Sequence, residues 1–237
     1  MMSRHIDSLF FFWCTTTNER SLNLRNKQSS VNLVALACEM QADIKADIIV
    51  EAMEVLVNHI LYVRGIYPSH IFKMKRMYNS PIYVSIFPPL NNYLAGILKS
   101  AQELLRRREL QCLELIVYQK ENEKLESYKM QLETQGSSLP ADDHLMEFEQ
   151  NMRSVIYKIS QRLNQAPKLP AGICQFKVHL HTTQEAFIRF SQDSQYQEFP
   201  WLQTQKTESQ APRRTVSLLP LARVEDLGLK MDALIVS

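Results

Sequence analysis

His179 and His181 are the residues of this chain best spaced to hold a metal ion. A strand alternates its side chains with period two, so both imidazoles would fall on one face. Tetrahedral zinc sites take three or four protein ligands, and the neighbours on that face are Gln175 and Lys177. The pair therefore reads as the polar side of a half-buried strand rather than as the centre of a zinc hydrolase. Asp142 and Asp143 are paired carboxylates, but an apolar helical stripe follows them. Acids in that position cap free N–H groups and offset the helix dipole.

No phosphate-cradling G-x-x-x-x-G-K-[ST] or G-x-G-x-x-G loop occurs, and the chain holds only 5 glycines from which to build one. H-E-x-x-H and G-x-S-x-G are absent too. The expectation is a protein that is not an enzyme and needs no metal or cofactor. Lys73, Lys75 and Arg76, with Arg106, Arg107 and Arg108, form basic clusters. No stacking aromatics are interleaved with them, so they read as a solvated face. With a net charge of +2, any tie to DNA is expected to run through partner proteins. Phe199-Pro200-Trp201 admits two readings that the residues leave open: a plug for a core edge, or a wall of a groove for proline rings.

The elements that must carry these residues follow from hydrophobic period. Residues 1–39 show none that persists and read as a poorly ordered extension. A first helix is predicted from about Asp43 to Arg64, with Ile49, Met53, Leu56, Ile60 and Val63 on one stripe and Gly65 and Pro68 as stops. Short extended pieces follow from Tyr67 to Phe87, with turn signals at Asn79, Ser80 and Pro81. A second helix opens at Pro88-Pro89, where the first-turn N–H groups lack partners anyway. Its stripe is Leu90, Leu94, Ile97, Ala101 and Leu104 or Leu105.

Cys112 to Gln119 reads as a buried strand. Leu125 to Leu132 alternates Tyr128, Met130 and Leu132 against Ser127, Lys129 and Gln131, and the two make an antiparallel hairpin. A third helix, Asp142 to Asn164, and a third strand, Cys174 to Thr182, complete an α+β core over residues 40–182. The remaining stretch, residues 183–237, holds no long helix. Its apolar pieces, Val216 to Leu221 and Leu229 to Val236, read as strands that must cover something.

Composition fits this picture, with 45% hydrophobic and 22% charged residues over 237. Cys14, Cys38, Cys112 and Cys174 form no C-x-x-C pair, so free thiols in a reducing compartment are expected, the nucleus or the cytoplasm. The apolar run Leu9 to Cys14 is far below the ~20 residues that span a bilayer, and no membrane association is expected.

An ordered set of motifs resembles the HORMA-domain family. These are HILYVRGIYP (His59 to Pro68), IFKMKRMYNSPIYVSIFPPLNNYL (Ile71 to Leu94), RSVIYKIS (Arg153 to Ser160), FKVHLHT (Phe176 to Thr182), FPWL (Phe199 to Leu202) and LLPL…LKM (Leu218 to Met231). FPW and LYVR…YP are similar to the Mad-two B branch, whose members are accessory subunits of translesion DNA polymerase zeta. The resemblance covers about Ile44 to Ser237. It implies three helices packed on an antiparallel sheet and a C-terminal safety belt, here residues 183–237.

The function it implies is that of a non-catalytic adaptor in translesion synthesis and DNA-damage response. The belt traps a proline-containing peptide of the polymerase zeta catalytic subunit, and Tyr93, Phe199, Pro200 and Trp201 match the peptide-binding positions. The C-terminal domain of the Rev-one polymerase would dock at Leu218, Asp232 and Leu234, where the family often has an amide and a tyrosine at the last two. Arg153 matches the interface through which such domains pair with another HORMA domain or with themselves. Gly65 stands where an acidic residue is common. The alternative within the same fold is a mitotic regulator that clasps an activator of the anaphase-promoting complex.

Overall fold

The computed structural model describes residues 27–119, 123–133, 145–170, 172–194, 216–224 and 227–236. Contacts divide the chain into two compact units, Met1–Glu39 and Met40–Ser237. The first is described only as helical backbone from Lys27 onward.

Helix α1 spans Lys27–Val63, so it begins well before the predicted Asp43 and takes in residues read as an irregular extension. Ala35, Leu36, Ala37, Glu39 and Met40 are strong helix formers, and propensity carries the helix beyond the reach of the apolar stripe. Within the stripe Ile49, Met53, Leu56 and Ile60 are buried as expected. The helix stops in a Schellman motif. Gly65 takes φ +64, its N–H donates to the Tyr62 carbonyl at 3.0 Å, and the Ile66 N–H donates to the Leu61 carbonyl at 3.1 Å.

Strands β1 (Phe72–Met77) and β2 (Ser80–Ser85) form a separate two-stranded sheet. Tyr78 and Asn79 have φ of 48° and 50°, both left-handed, as a two-residue hairpin turn requires. The turn therefore falls before Ser80 and Pro81, which already belong to β2. Pro81 is tolerated because a two-stranded sheet has only edges.

Helix α2 is Pro88–Arg106, and β3 (Cys112–Gln119) and β4 (Glu123–Leu132) make the expected antiparallel hairpin. Helix α3 is Leu145–Gln165 and β5 is Gln175–His181. A fourth helix, α4 (Gln184–Gln192), was not anticipated, so the described residues hold four helices rather than three. It is short and amphipathic. Thr183 Oγ1 accepts the Ala186 N–H at 3.3 Å at its start, and Ala186 and Phe190, four apart, are its buried anchors.

Strands β6 (Val216–Val224) and β7 (Leu229–Val236) form a terminal hairpin. The large sheet has the order β5-β3-β4-β7-β6 and every neighbouring pair is antiparallel. One face carries Leu113, Leu115, Val117, Tyr128, Met130, Met231 and Ala233 into a single core with α1, α2 and α3. Each fully buried side chain of this size contributes about 1.5–3 kcal/mol.

Two polar arrangements interrupt that core. Arg64, just past the end of α1, donates from Nη1 to the Leu163 carbonyl at 3.0 Å in the last turn of α3, where that oxygen also accepts the Ala166 N–H at 3.3 Å. His59 on α1 meets Ser160 on α3, with Nε2 2.6 Å from Oγ. Its Nδ1 is buried with no partner among the described residues. Burial pushes the His59 pKa down to about 4.

Candidate functional site

β5 is the first strand in the sheet order and pairs on one side with β3. Among the described residues its other edge is unpaired, which leaves a row of backbone groups on which an extended segment can add. The inner side of this edge is aromatic. The Phe176 ring, at the start of β5, meets Tyr93 of α2 edge to face at 5.6 Å. It meets Tyr67, in the loop after α1, in the same manner at 6.0 Å. Pro88 opens α2 little more than one turn before Tyr93, and the Schellman turn at Gly65 directs the chain after α1 to Tyr67. Burial raises the Tyr93 hydroxyl pKa, against a smaller opposing contribution from the Val178 backbone.

The terminal hairpin joins the opposite side of the sheet, through β7 on β4. β6, at the far edge, is separated from β5 by four strand spacings of roughly 4.8 Å each. Phe199, Pro200 and Trp201 lie between α4 and β6 in sequence and outside the described residues. Asp142 and Asp143 lie outside the described residues as well. Of the four expected peptide-binding residues, the structure thus locates Tyr93 alone.

On the hairpin, Leu218 and Leu234 are cross-strand partners, and Pro220 stands opposite Asp232. Leu218 is 64% exposed and Leu234 is half-buried. Asp232 is buried on the same face, its carboxylate 2.9 Å from Lys230 Nζ. Arg153 is exposed on α3 and lines a small surface hollow with Asn79, Met146, Glu149 and Gln150. Met146 and Tyr157, exposed by 74% and 63%, continue the stripe along the helix.

His179 and His181 share a face of β5, but each has its own surroundings. His181 Nε2 lies 2.9 Å from Glu114 of β3. Glu114 also takes hydrogen bonds from Ser127 Oγ and from Lys124 Nζ. Burial would raise the Glu114 pKa, but the hydrogen bonds from His181, Ser127 and Lys124 outweigh it and hold the carboxyl well below the usual range. Cys112 and Cys174 are both free thiols. Burial pushes the Cys112 thiol up to about 11, which removes it as a nucleophile near neutral pH.

Sequence reasoning missed Tyr67 and Phe176 as members of the aromatic cluster and Glu114 as a buried carboxylate. Phe176 falls in the strand read from Cys174 to Thr182, but nothing local pairs its ring with Tyr93. Nothing local marks Glu114, which sits inside an apolar run.

A family model described as HORMA domain matches residues 46–212. The Drosophila melanogaster protein called DNA polymerase zeta subunit 2 is 93% identical over 198 residues, covering 84% of this chain and 100% of its own. The Homo sapiens mitotic spindle assembly checkpoint protein MAD2B is 32% identical over 191 residues, covering 79% of this chain and 88% of its own. Among solved structures, a chain of the mitotic checkpoint complex superposes with a TM-score of 0.62 at 22% identity, covering 81% of this chain and 97% of that one. C. elegans HTP-1 bound to a HIM-3 closure motif superposes with a TM-score of 0.60 at 16% identity, covering 83% and 92%. The last two likenesses concern the fold.

Proposed function

The chain belongs to the HORMA-domain family and has its α+β fold, and from that membership we propose that it is a non-catalytic adaptor that entraps a peptide of a partner protein along the β5 edge. The carrying observation is topological. The β5 edge is unpaired among the described residues, while the C-terminal hairpin occupies the opposite edge. The connection between them, with α4, acts as a safety belt over residues 183–237, closing on a core of residues 40–182. A strand added at β5 gains backbone hydrogen bonds whatever its sequence, and pockets beside it read particular side chains. A belt that encircles the peptide must open before the peptide leaves, which slows dissociation.

The finer reading is that the peptide comes from the polymerase zeta catalytic subunit and carries prolines. The 93% identity to a protein named as a subunit of that polymerase supports it. Tyr93, with Phe199, Pro200 and Trp201 of the belt, supplies aromatic walls on which proline rings stack. Leu218, Leu234 and Asp232 of the terminal hairpin then carry the Rev-one C-terminal domain, so that the chain bridges the two polymerases in the nucleus during translesion synthesis. Arg153 supports pairing with another HORMA domain or a second copy. Gly65, at a position where the family often has an acid, makes self-pairing weak.

The test is a pull-down of a proline-containing catalytic-subunit fragment by the full chain, with Trp201→Ala and Tyr93→Ala beside the wild type. Retention of the fragment by both variants would remove the assignment of the peptide site. The names of the relatives near 32% identity support a second reading, a mitotic regulator. Offering the same belt a peptide of an anaphase-promoting-complex activator separates the two.

A further inference from the structure

Across the sheet face opposite the core, the register aligns side chains in rows. One row runs Lys177, Ile116, Ser127, Leu234, Leu218. The next runs His179, Glu114, Lys129, Asp232, Pro220. A third brings His181, Cys112, Gln131, Lys230 and Arg223 into line.

The charges on this face are sorted by depth. The side chains of Glu114 and Asp232 are 6% and 11% exposed. Those of Lys124, His181, Lys230 and Arg223 are 40%, 43%, 43% and 55% exposed. Each acid lies under a cation bound to it, Lys124 on Glu114 and Lys230 on Asp232, both at 2.9 Å. Glu133, the most open acid at 36%, is paired with Arg223. A partner approaching the face therefore meets ammonium and guanidinium groups, with Leu218 beside them. Within the face lies a cavity of about 320 Å³, lined by Lys129, His181, Gln111, Gln131, Cys112 and Glu133 among others. Lysine and two amides supply hydrogen-bond donors to it.

We propose that this outer face docks an acidic segment of a protein partner, with an apolar side chain on Leu218 and Leu234 and a carboxylate in the cavity beside Lys129 and His181. The inference rests on the reading of the terminal hairpin as a partner surface and adds the chemistry of what binds there. Adjacent rows are separated by two residues along each strand, roughly 7 Å. Leu234 and Lys129 differ by one row and also by one strand spacing, which puts them about 8.5 Å apart. A leucine and a glutamate four apart on one helix start about 6 Å apart and reach both through the length of the glutamate and lysine side chains. Complementary charge of this kind fixes orientation and speeds encounter.

The experiment uses the full chain and three fluorescent probes. They are a synthetic helical peptide with Leu and Glu four residues apart, the same peptide with Gln for Glu, and a short DNA duplex. The Glu peptide binds, the Gln peptide binds about tenfold more weakly, and added salt weakens the former. Lys129→Glu and Gln131→Glu each weaken the Glu peptide by about tenfold, the second adding a carboxylate without removing any existing charge. Failure of the Glu peptide to bind, equal binding of the two peptides, or indifference to both charge variants overturns the proposal. If Leu218→Ser abolishes binding and the charge variants do nothing, the hairpin remains a partner surface and the acidic contact is lost. If only the charge variants matter, the hairpin reading fails instead. Binding of the duplex without the Glu peptide would replace an acidic protein by nucleic acid.

Discussion

The guanidinium of Arg64 and the carboxylate of Glu126 meet inside the protein as a two-pronged ion pair, Nε to Oε2 at 3.0 Å and Nη2 to Oε1 at 2.5 Å. Their side chains are 4% and 2% exposed. Tyr128 donates its hydroxyl to the same carboxylate at 2.6 Å, and Arg64 reaches on to the Leu163 and Pro167 carbonyls. One charge pair thus ties the end of α1, strand β4 and the end of α3 together. These elements position the sheet whose β5 edge and terminal hairpin form the proposed binding surfaces.

Removing one partner leaves the other charge buried and uncompensated. Arg64→Met or Glu126→Gln is expected to lower unfolding free energy by about 3–5 kcal/mol. The double variant, Arg64→Met with Glu126→Gln, should lose less than the two single changes added together. Urea unfolding followed by circular dichroism measures all three. Additive losses in the double variant would show that the two side chains do not act as a pair.

His59 makes the fold acid-sensitive. Its pKa is about 4 in the folded protein and 6.5 when unfolded, so between those values the unfolded chain binds more protons. Stability is therefore complete above pH 6.5 and falls as pH drops through the window to 4, by up to about 3 kcal/mol. His59→Asn should flatten the dependence of unfolding free energy on pH in that window, at some cost at pH 7. A slope unchanged by the substitution would assign the acid sensitivity elsewhere.

Glu114 acts at lower pH. Its folded pKa is depressed by three hydrogen-bond donors, so its contribution is present above the usual carboxylate range and is lost as pH falls through and below that range. Glu114→Gln should remove this second, lower acid limb while leaving the His59 limb in place, as read from the same pH series.

Gly228 closes the β6–β7 hairpin at φ +63, and a Cβ there would stand 2.9 Å from the Glu133 carbonyl oxygen. The Gly228 carbonyl also accepts the Glu133 N–H at 2.7 Å, so the backbone has little room to retreat. Gly228→Ala is expected to cost about 1–3 kcal/mol. Gly65→Ala shares the positive φ but meets nothing within 4 Å, and should cost about 1 kcal/mol. Thermal melts of the two variants give the comparison, and equal losses would discount the Glu133 contact.

Tyr93 packs through its ring face and edge, with Phe176 at 5.6 Å. Tyr93→Phe is therefore expected to hold a proline-containing peptide within about twofold of wild type, while Tyr93→Ala weakens it by about tenfold or more. Titration by fluorescence anisotropy separates the two. A loss in Tyr93→Phe equal to that in Tyr93→Ala would move the role from the ring to the hydroxyl.

Local pattern was enough for several elements. The alternation of Tyr128, Met130 and Leu132 located β4 and its core face, and the apolar run of Cys112 to Gln119 matches β3 end to end. Pro88 marked the start of α2, and Gly65 the stop of α1. Such features depend on residues a few positions apart, which the period of a helix or strand brings together wherever the element sits. The motif order from His59 to Met231 also carried the family. The start of α1 at Lys27 and the short helix α4 escaped, because helix propensity and a lone Ala186–Phe190 pair leave no stripe long enough to read.

Tertiary structure alone decided which distant groups meet. Arg64 and Glu126, Tyr93 and Phe176, and Glu114 with Ser127 and His181 lie far apart in the chain, and no periodicity links them. Their meeting depends on strand register and on the angle at which helices cross the sheet. The same holds for the edge the terminal hairpin joins. Two apolar strands can be recognised from Val216 to Val236, but only the pairing of β7 with β4 leaves the β5 edge on the other side of the sheet. A strand's side-chain pattern specifies which face is buried, whereas its backbone hydrogen bonds are the same for any neighbour, so the choice of neighbour is made by packing.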